Sequence, residues 1–519
     1  MLYITEQEIV NFKLAHGSTE WVSLMLKDII ETDQLSKDAM REGARYYDGY
    51  HDVLKRDFRK ETIEEMAEEC DADGTTRERS IRKPFYNPNR SNEHTVNTFH
   101  TVLVDQKVSY LLGKEPTVSV YGAENNADLK TYEDLITEWA DEEFDEDMQE
   151  LLTGASNKGW EAMHFYYDEK TNELRHVIVP AETIVPVYDS VYQNTLEEVI
   201  RYYPVEFYDG KTKKTRMKVE WWTSQDVTYY IESAKEKGKY MLDTDIEINP
   251  APHYYTVTYI DGTPVRKEPH SWGRVPFIIL QNNTNARTDL QPIKGLIDAY
   301  DIISSEGVNN FEDLVDLYWI IQGYGGEAAS TIAKKLKINR AVSIQDASGA
   351  GSVTANQVDL PIDGRISFLN MLRRDIYHFG RGVDTDNDRF GNAPSGVALK
   401  FAYAQLDLKC NRIAAKLKKA IREYFWFITD DYNRQNGTEY DSEEIKIVLN
   451  KTMITNELET VQIIGQSKGI VSDKTLLANH PMVDDVNAEM EELEAQNSKY
   501  EDDFISQYYP AKGSQGSDE

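Results

Sequence analysis

Gly382-Val-Asp-Thr-Asp-Asn-Asp-Arg-Phe-Gly-Asn-Ala-Pro-Ser-Gly396 is a polar loop set between two helical patterns. Asp384, Asp386 and Asp388 place three carboxylates within five residues, opposed by Arg389 alone. Asp, Asn and Gly favour turns, and Pro394 and the glycines interrupt a helix. Upstream, Ile366, Leu369, Leu372, Ile376 and Phe379 recur at helical spacing; downstream, Ile413, Leu417, Ile421 and Phe425 sit four apart. The downstream helix, read as 397–425, carries Lys400, Lys409, Arg412, Lys416, Lys418, Lys419 and Arg422 against Asp407 and Glu423. Such basicity stands out in a chain of net charge −33. A polar loop hinged on a basic helix predicts a surface that handles a polyanion without gripping it.

The remaining composition narrows the class. A chain of 519 residues exceeds one compact core, so two to four subdomains are expected. No apolar run approaches the ~20 residues that span a bilayer, and the first residues lack a signal peptide's basic start. Cys70 and Cys410 are too few for a disulfide framework or a cysteine zinc site, which points to a reducing, cytosolic setting. The acidic excess is uneven: residues 131–150 hold ten acidic side chains and no basic one, and 440–519 hold seventeen against six. Tight DNA binding needs clustered Lys and Arg, so these runs read as solvated faces or as deliberate repulsion of DNA.

Along the chain, the first 65 residues pattern as helix, with amphipathic pieces at 5–16 and 18–32. A polar break at 70–77 and a Pro/Asn stretch at 84–90 precede a helix expected from about 93 to 112, stopped by Gly113 and Pro116. Between 163 and 259, aromatic and β-branched runs predict an antiparallel sheet module; they include Met163-His-Phe-Tyr-Tyr, Leu174-Arg-His-Val-Ile-Val and Met217-Lys-Val-Glu-Trp-Trp. Helical spacing returns over 289–316, with Leu290, Ile293, Ile297 and Tyr300, then Val308, Phe311 and Val315. A short α/β segment is expected at 317–365, and an acidic helical region ending in a disordered tail closes the chain.

Several motifs imitate chemistry. Gly323-Tyr-Gly325-Gly-Glu-Ala328, followed by a short helix and Asp346, resembles a dinucleotide-binding turn, but the unit stands alone and follows a long helix rather than a strand. Asp384-x-Asp386-x-Asp388 opens like a calcium loop, yet Arg389 occupies the position that needs glycine and Ser395 the one that needs glutamate. There is no HExxH, nucleophile elbow, phosphate-binding loop or CxxC. No cofactor, metal or catalytic residue is expected.

The loop and its helices resemble the tunnel-loop region of the portal proteins of tailed bacteriophages, through Ile376-Tyr-His-Phe-Gly-Arg-Gly-Val-Asp384 and Gly396-Val-Ala-Leu-Lys-Phe-Ala-Tyr-Ala-Gln-Leu-Asp-Leu-Lys-Cys-Asn411. Three further segments are similar to the same family. They are Asn97-Thr-Phe-His-Thr-Val-Leu-Val-Asp-Gln-Lys-Val-Ser-Tyr-Leu-Leu-Gly-Lys114, Val275-Pro-Phe-Ile-Ile-Leu-Gln-Asn-Asn283 and Ile293-Lys-Gly-Leu-Ile-Asp-Ala-Tyr-Asp301. They run in family order across roughly residues 90–480.

The resemblance implies an α+β, mainly helical portal fold that closes into a ring of about twelve copies. It implies a wing over 1–285, a stem helix at 286–316 and a clip at 317–365. A second stem helix at 366–382, a tunnel loop at 383–395, a long helix returning to the wing at 396–451, and a helical crown with an acidic tail at 452–519 complete it. Asp384, Asp386, Asn387, Asp388, Arg389, Phe390 and Asn392 would line the DNA channel. Lys400, Lys409, Arg412 and Lys416 would offer weak attraction to DNA or bond the acidic face of a neighbouring copy. Tyr324, Lys334, Lys335, Lys337 and Arg340 would lie in the clip, which docks the terminase large subunit and later the head-completion or neck proteins. Further implied partners are double-stranded DNA and the major capsid and scaffolding proteins, with no membrane. The implied location is the portal vertex of a virion assembled in the host cytoplasm. A nucleotide-binding enzyme built on residues 323–346, or a passive capsid adaptor or scaffold, are the alternatives.

Overall fold

Helices form where apolar residues recur every three to four positions. The computed structural model contains α1 (Trp21–Ser36), α2 (Asp38–Tyr47), α3 (Phe99–Leu112), α4 (Ala127–Trp139), α5 (Glu142–Lys158), α6 (Lys294–Asp313), α7 (Ile362–Gly380), α8 (Gly396–Asn436), α9 (Glu457–Ser467) and α10 (Asp473–Ala478). Strands relevant below are β1 (Lys60–Cys70), β2 (Thr76–Tyr86), β3 (Trp160–Asp168), β4 (Glu173–Val179), β5 (Ile184–Tyr188), β6 (Leu196–Asp209), β7 (Thr212–Trp222), β8 (Asp226–Glu232) and β9 (Phe277–Gln281). The described residues are 4, 5 and 9, most of 21–313, 318–322, 352–356, 362–385, 396–452 and parts of 457–496. The chain is thus a mixture of helix and sheet.

Contacts divide it into two units, Met1–Gly382 with Leu408–Thr452, and Val383–Asp407 with Met453–Glu519. In the first unit, β5, β6, β7 and β8 form a meander in the order of the chain, and β3 lies between β9 and β4 in a second sheet. Successive residues of the meander enter two different cores: Ile200 and Trp221 go to one, Val199 and Trp222 to the other. One gathers Met25, Leu26 and Ile29 of α1 with Val187, Ile200 and Val219; the other gathers Trp160, Ala162, Val199, Trp222 and Phe277. On α8, Ile413, Leu417, Ile421 and Phe425 are all buried, as their spacing requires. The helix runs on past 425 to Asn436. Part of the acidic run at 131–150 has a local role: Asp141 caps α5 by accepting from the Phe144 N–H, and Glu142, Glu143 and Asp145 sit in its positive first turn.

Three expectations need correction. Residues 60–65 are not helical: β1 pairs antiparallel with β2 over eleven residue pairs, from Lys60 opposite Tyr86 to Cys70 opposite Thr76. Glutamate-rich β1 favours a helix by propensity, but its partner strand brings Arg82 opposite Glu64 and Arg77 opposite Glu69. The helix expected from 93 begins instead at Phe99. Residues 91–97 are extended, and their alternate amides are taken up by side chains of α6. Ser91 donates to Asp313 (2.9 Å), Glu93 to Asn309 (2.7 Å), Thr95 to Ser305 (2.9 Å) and Asn97 to Asp301 (2.9 Å). Alternate residues of an extended chain advance about 6.6 Å, close to the 6.0 Å of four residues on a helix.

That ladder explains the third correction. The stripe Val308 and Phe311 is exposed, whereas Asp301, Ser305 and Asn309 are fully buried against 91–97. Asp301 receives a further contact from buried His51. On α7, Leu372 and Ile376 are buried while Ile366, Phe368, Met371 and Phe379 are exposed. The 318–322 strand pairs antiparallel with 352–356; the glycine-rich turn and Asp346 between them lie outside the described residues, as do most of residues 5–16.

Candidate functional site: the root of the 383–395 loop

The chain leaves α7 through a left-handed turn. Gly382 donates to the Tyr377 carbonyl (3.0 Å) and Arg381 to that of His378 (3.3 Å), the paired bonds of a Schellman cap. Arg381 itself takes the left-handed conformation, with φ at 57°. The flanking glycines answer a different demand. A Cβ on Gly380 would meet Leu103 Cδ1 at 2.6 Å, and one on Gly382 would meet Leu103 Cδ2 at 2.1 Å. Glycine here admits close packing of the loop root onto α3.

Beside this turn lies a buried ionic cluster. Lys409, on α8, donates to the Gly380 carbonyl (3.1 Å) and pairs with Asp289 (3.1 Å). Lys107, on α3, pairs with the same carboxylate at 3.0 Å and donates to Ser156 Oγ (2.8 Å) and to Asn282. Asn282 in turn donates to Asp289 Oδ1 at 2.9 Å. Burial pushes the Asp289 carboxyl up, but Lys107, Lys409 and the Asn282 amide overcome it and hold the group well below the usual carboxylate range. Burial lowers the Lys107 ammonium, against the pull of Asp289. Nearby on α3, His100 is fully buried, and burial lowers it to about 4.

Of the residues singled out from sequence, Lys409 therefore faces the interior of its own unit. Lys416 is half-buried and donates to Gln281 (2.9 Å), and Arg412 is exposed. Lys400 lies on α8, but its side chain is outside the described residues. Asp384 is half-buried; Asp386, Asn387, Asp388, Arg389, Phe390 and Asn392 fall outside the described residues. So do Tyr324, Lys334, Lys335, Lys337 and Arg340. Sequence reasoning missed Asp289 and Lys107. The available signal was Lys107 standing four residues from both Leu103 and Leu111 on one helical stripe, a position that demands a buried partner.

The geometry is one of anchoring: a helix end, a loop root and a second helix are tied to one carboxylate. Among the described residues, no group of three or more His, Cys, Asp or Glu side chains is placed to hold a metal ion. No described helix is long and apolar enough to cross a membrane.

The family model described as "Phage portal protein, SPP1 Gp6-like" matches residues 26–503. The portal protein of Bacillus phage SPP1 is 29% identical over 472 residues, covering 90% of this chain and 85% of the relative. The portal protein of Clostridium phage phiCD119 is 29% identical over 500 residues, covering 92% and 98%. The chain belongs to the SPP1 Gp6-like family of phage portal proteins. Portal proteins are structural components of the virion capsid, not enzymes; they form oligomeric rings and interact with capsid and DNA. The enzyme alternative at 323–346 is thereby set aside.

Proposed function

We propose that this chain is the subunit of a ring of about twelve copies at one capsid vertex, through whose axial channel double-stranded DNA enters during packaging and leaves during ejection. Residues 1–285 form the wing, 286–316 and 366–382 the paired stem helices, 317–365 the clip and 452–519 the crown and tail. The 383–395 loop lines the channel, and 396–451 is the helix that levers it and returns to the wing. Residues 317–365 dock the terminase large subunit and later the neck proteins, while the wing meets capsid and scaffolding proteins.

One observation carries the reading: the Gly380–Lys409–Asp289 contacts fix the end of α7, immediately before the stretch of sequence that carries Asp384, Asp386 and Asp388. A sliding duplex is stalled by dense phosphate contacts. An acidic loop on a fixed root repels phosphate within a Debye length of about 10 Å and so centres DNA without holding it. A dozen chains of charge −33 total about −400, and channel repulsion follows the same sign.

Negative-stain electron microscopy and analytical ultracentrifugation of the purified chain test the ring. The expected result is an annulus with a central hole; a 59.7 kDa species alone contradicts it. Deleting 384–392 tests the loop: rings assemble and DNA packaging fails, whereas normal packaging removes the loop from the mechanism.

A further inference from the structure

The β1–β2 ribbon stands apart from the two larger sheets. Among the described residues, neither strand pairs with a third, so each keeps one open edge. A lone two-stranded ribbon is marginal in water, and an open edge invites another chain. Its charges are sorted by strand. β1 carries Glu61, Glu64, Glu65, Glu68 and Glu69 against Lys60, a net of −4; β2 carries Arg77, Arg79, Arg82 and Lys83 against Glu78, a net of +3.

We infer that this ribbon is a contact between neighbouring copies in the ring, the basic strand β2 of one copy lying beside the acidic strand β1 of the next. The inference rests on the ring reading above and names where the copies meet. Cyclic rings close through heterologous contacts, in which two different surfaces of the same molecule face each other. A ribbon acidic along one edge and basic along the other supplies both halves of such a contact. A partner of single charge, DNA included, would engage one edge and be repelled by the other. Pro84 keeps β2 an outer strand and interrupts any backbone ladder there, leaving charge to set the match. Across such a contact, opposite charges select the partner and like charges reject it.

The test is a charge-swapped chain: Glu64→Lys, Glu65→Lys, Glu68→Lys and Glu69→Lys together with Arg77→Glu, Arg79→Glu, Arg82→Glu and Lys83→Glu. Opposition across the ribbon is kept, so the swapped chain forms rings by itself. Beside a wild-type neighbour, however, like charges meet on either side. Co-expression with a mass-tagged wild type, read by native mass spectrometry, is expected to give rings of one kind or the other, with mixed rings depleted about tenfold. Statistical mixing overturns the inference, because charges that serve only the ribbon's own fold leave mixing free. Should the swapped chain fail to fold, hydrogen exchange on the wild type decides: amides of 60–70 and 76–86 slow about tenfold from monomer to ring. Equal exchange, or slowing only when capsid protein is added, overturns it. Wild-type chains that never form rings refute the ring reading instead.

Discussion

Lys409 meets Asp289 at 3.1 Å while its ammonium also holds the last carbonyl of α7, at Gly380. A residue of one helix thus fixes the end of another directly, and is itself held by a carboxylate that belongs to neither. Asp289 serves Lys107 at the same time, so two ammonium groups, that of Lys107 fully buried, depend on one anion.

Asp289→Ala strands both lysines and is expected to cost about 3–5 kcal/mol, read by chemical denaturation. Lys409→Met is milder, about 1–3 kcal/mol, because Asp289 keeps Lys107 and Asn282. Equal losses from the two variants contradict a shared carboxylate.

Gly382→Ala drives a methyl group into the buried side chain of Leu103. Overpacking of this kind costs about 1–3 kcal/mol. Combined with Leu103→Ala, the two losses are expected to be less than additive in a double-mutant cycle. Additive losses dissociate the glycine from Leu103.

Two buried histidines set an acid limit. Burial lowers His100 to about 4 and His164 to about 3, from 6.5. As pH falls below 6.5 the unfolded chain takes protons that the folded chain refuses, so stability drops from pH 6.5 towards 4. The slope approaches 1.4 kcal/mol per pH unit for each group. His100→Gln is expected to shallow this slope and leave stability flat above pH 7; an unchanged slope in thermal unfolding refutes the assignment.

Asn309→Leu leaves the Glu93 N–H and carbonyl without the partners they have at 2.7 and 3.0 Å. The expected cost is about 2–4 kcal/mol, with faster hydrogen exchange confined to residues 91–97. Exchange accelerated throughout the unit equally rejects a local role.

Legibility of the fold followed the strength of the local pattern. The aromatic and β-branched runs at 163–167, 174–179 and 217–222 lie in strands, and the i+4 stripe of α8 is buried throughout. The ribbon at 60–86 was hidden because glutamates favour a helix until arginines arrive opposite them. The start of α3 was hidden because 91–97 satisfies its amides with side chains two hundred residues away, which no local window contains. At the loop root the glycines were visible as punctuation; their true purpose, room for Leu103, required the neighbouring helix. The family resemblance supplied the functional class that composition alone left open.

The ladder between residues 91–97 and α6 works as a vernier. Its two rulers differ in pitch by about 0.6 Å per rung, so over the three intervals from Asp301 to Asp313 the marks drift by about 2 Å. Coincidence on every mark therefore belongs to a single setting. One residue inserted into 91–97 shifts every later tick by half a division, and no sliding of the rod restores the alignment.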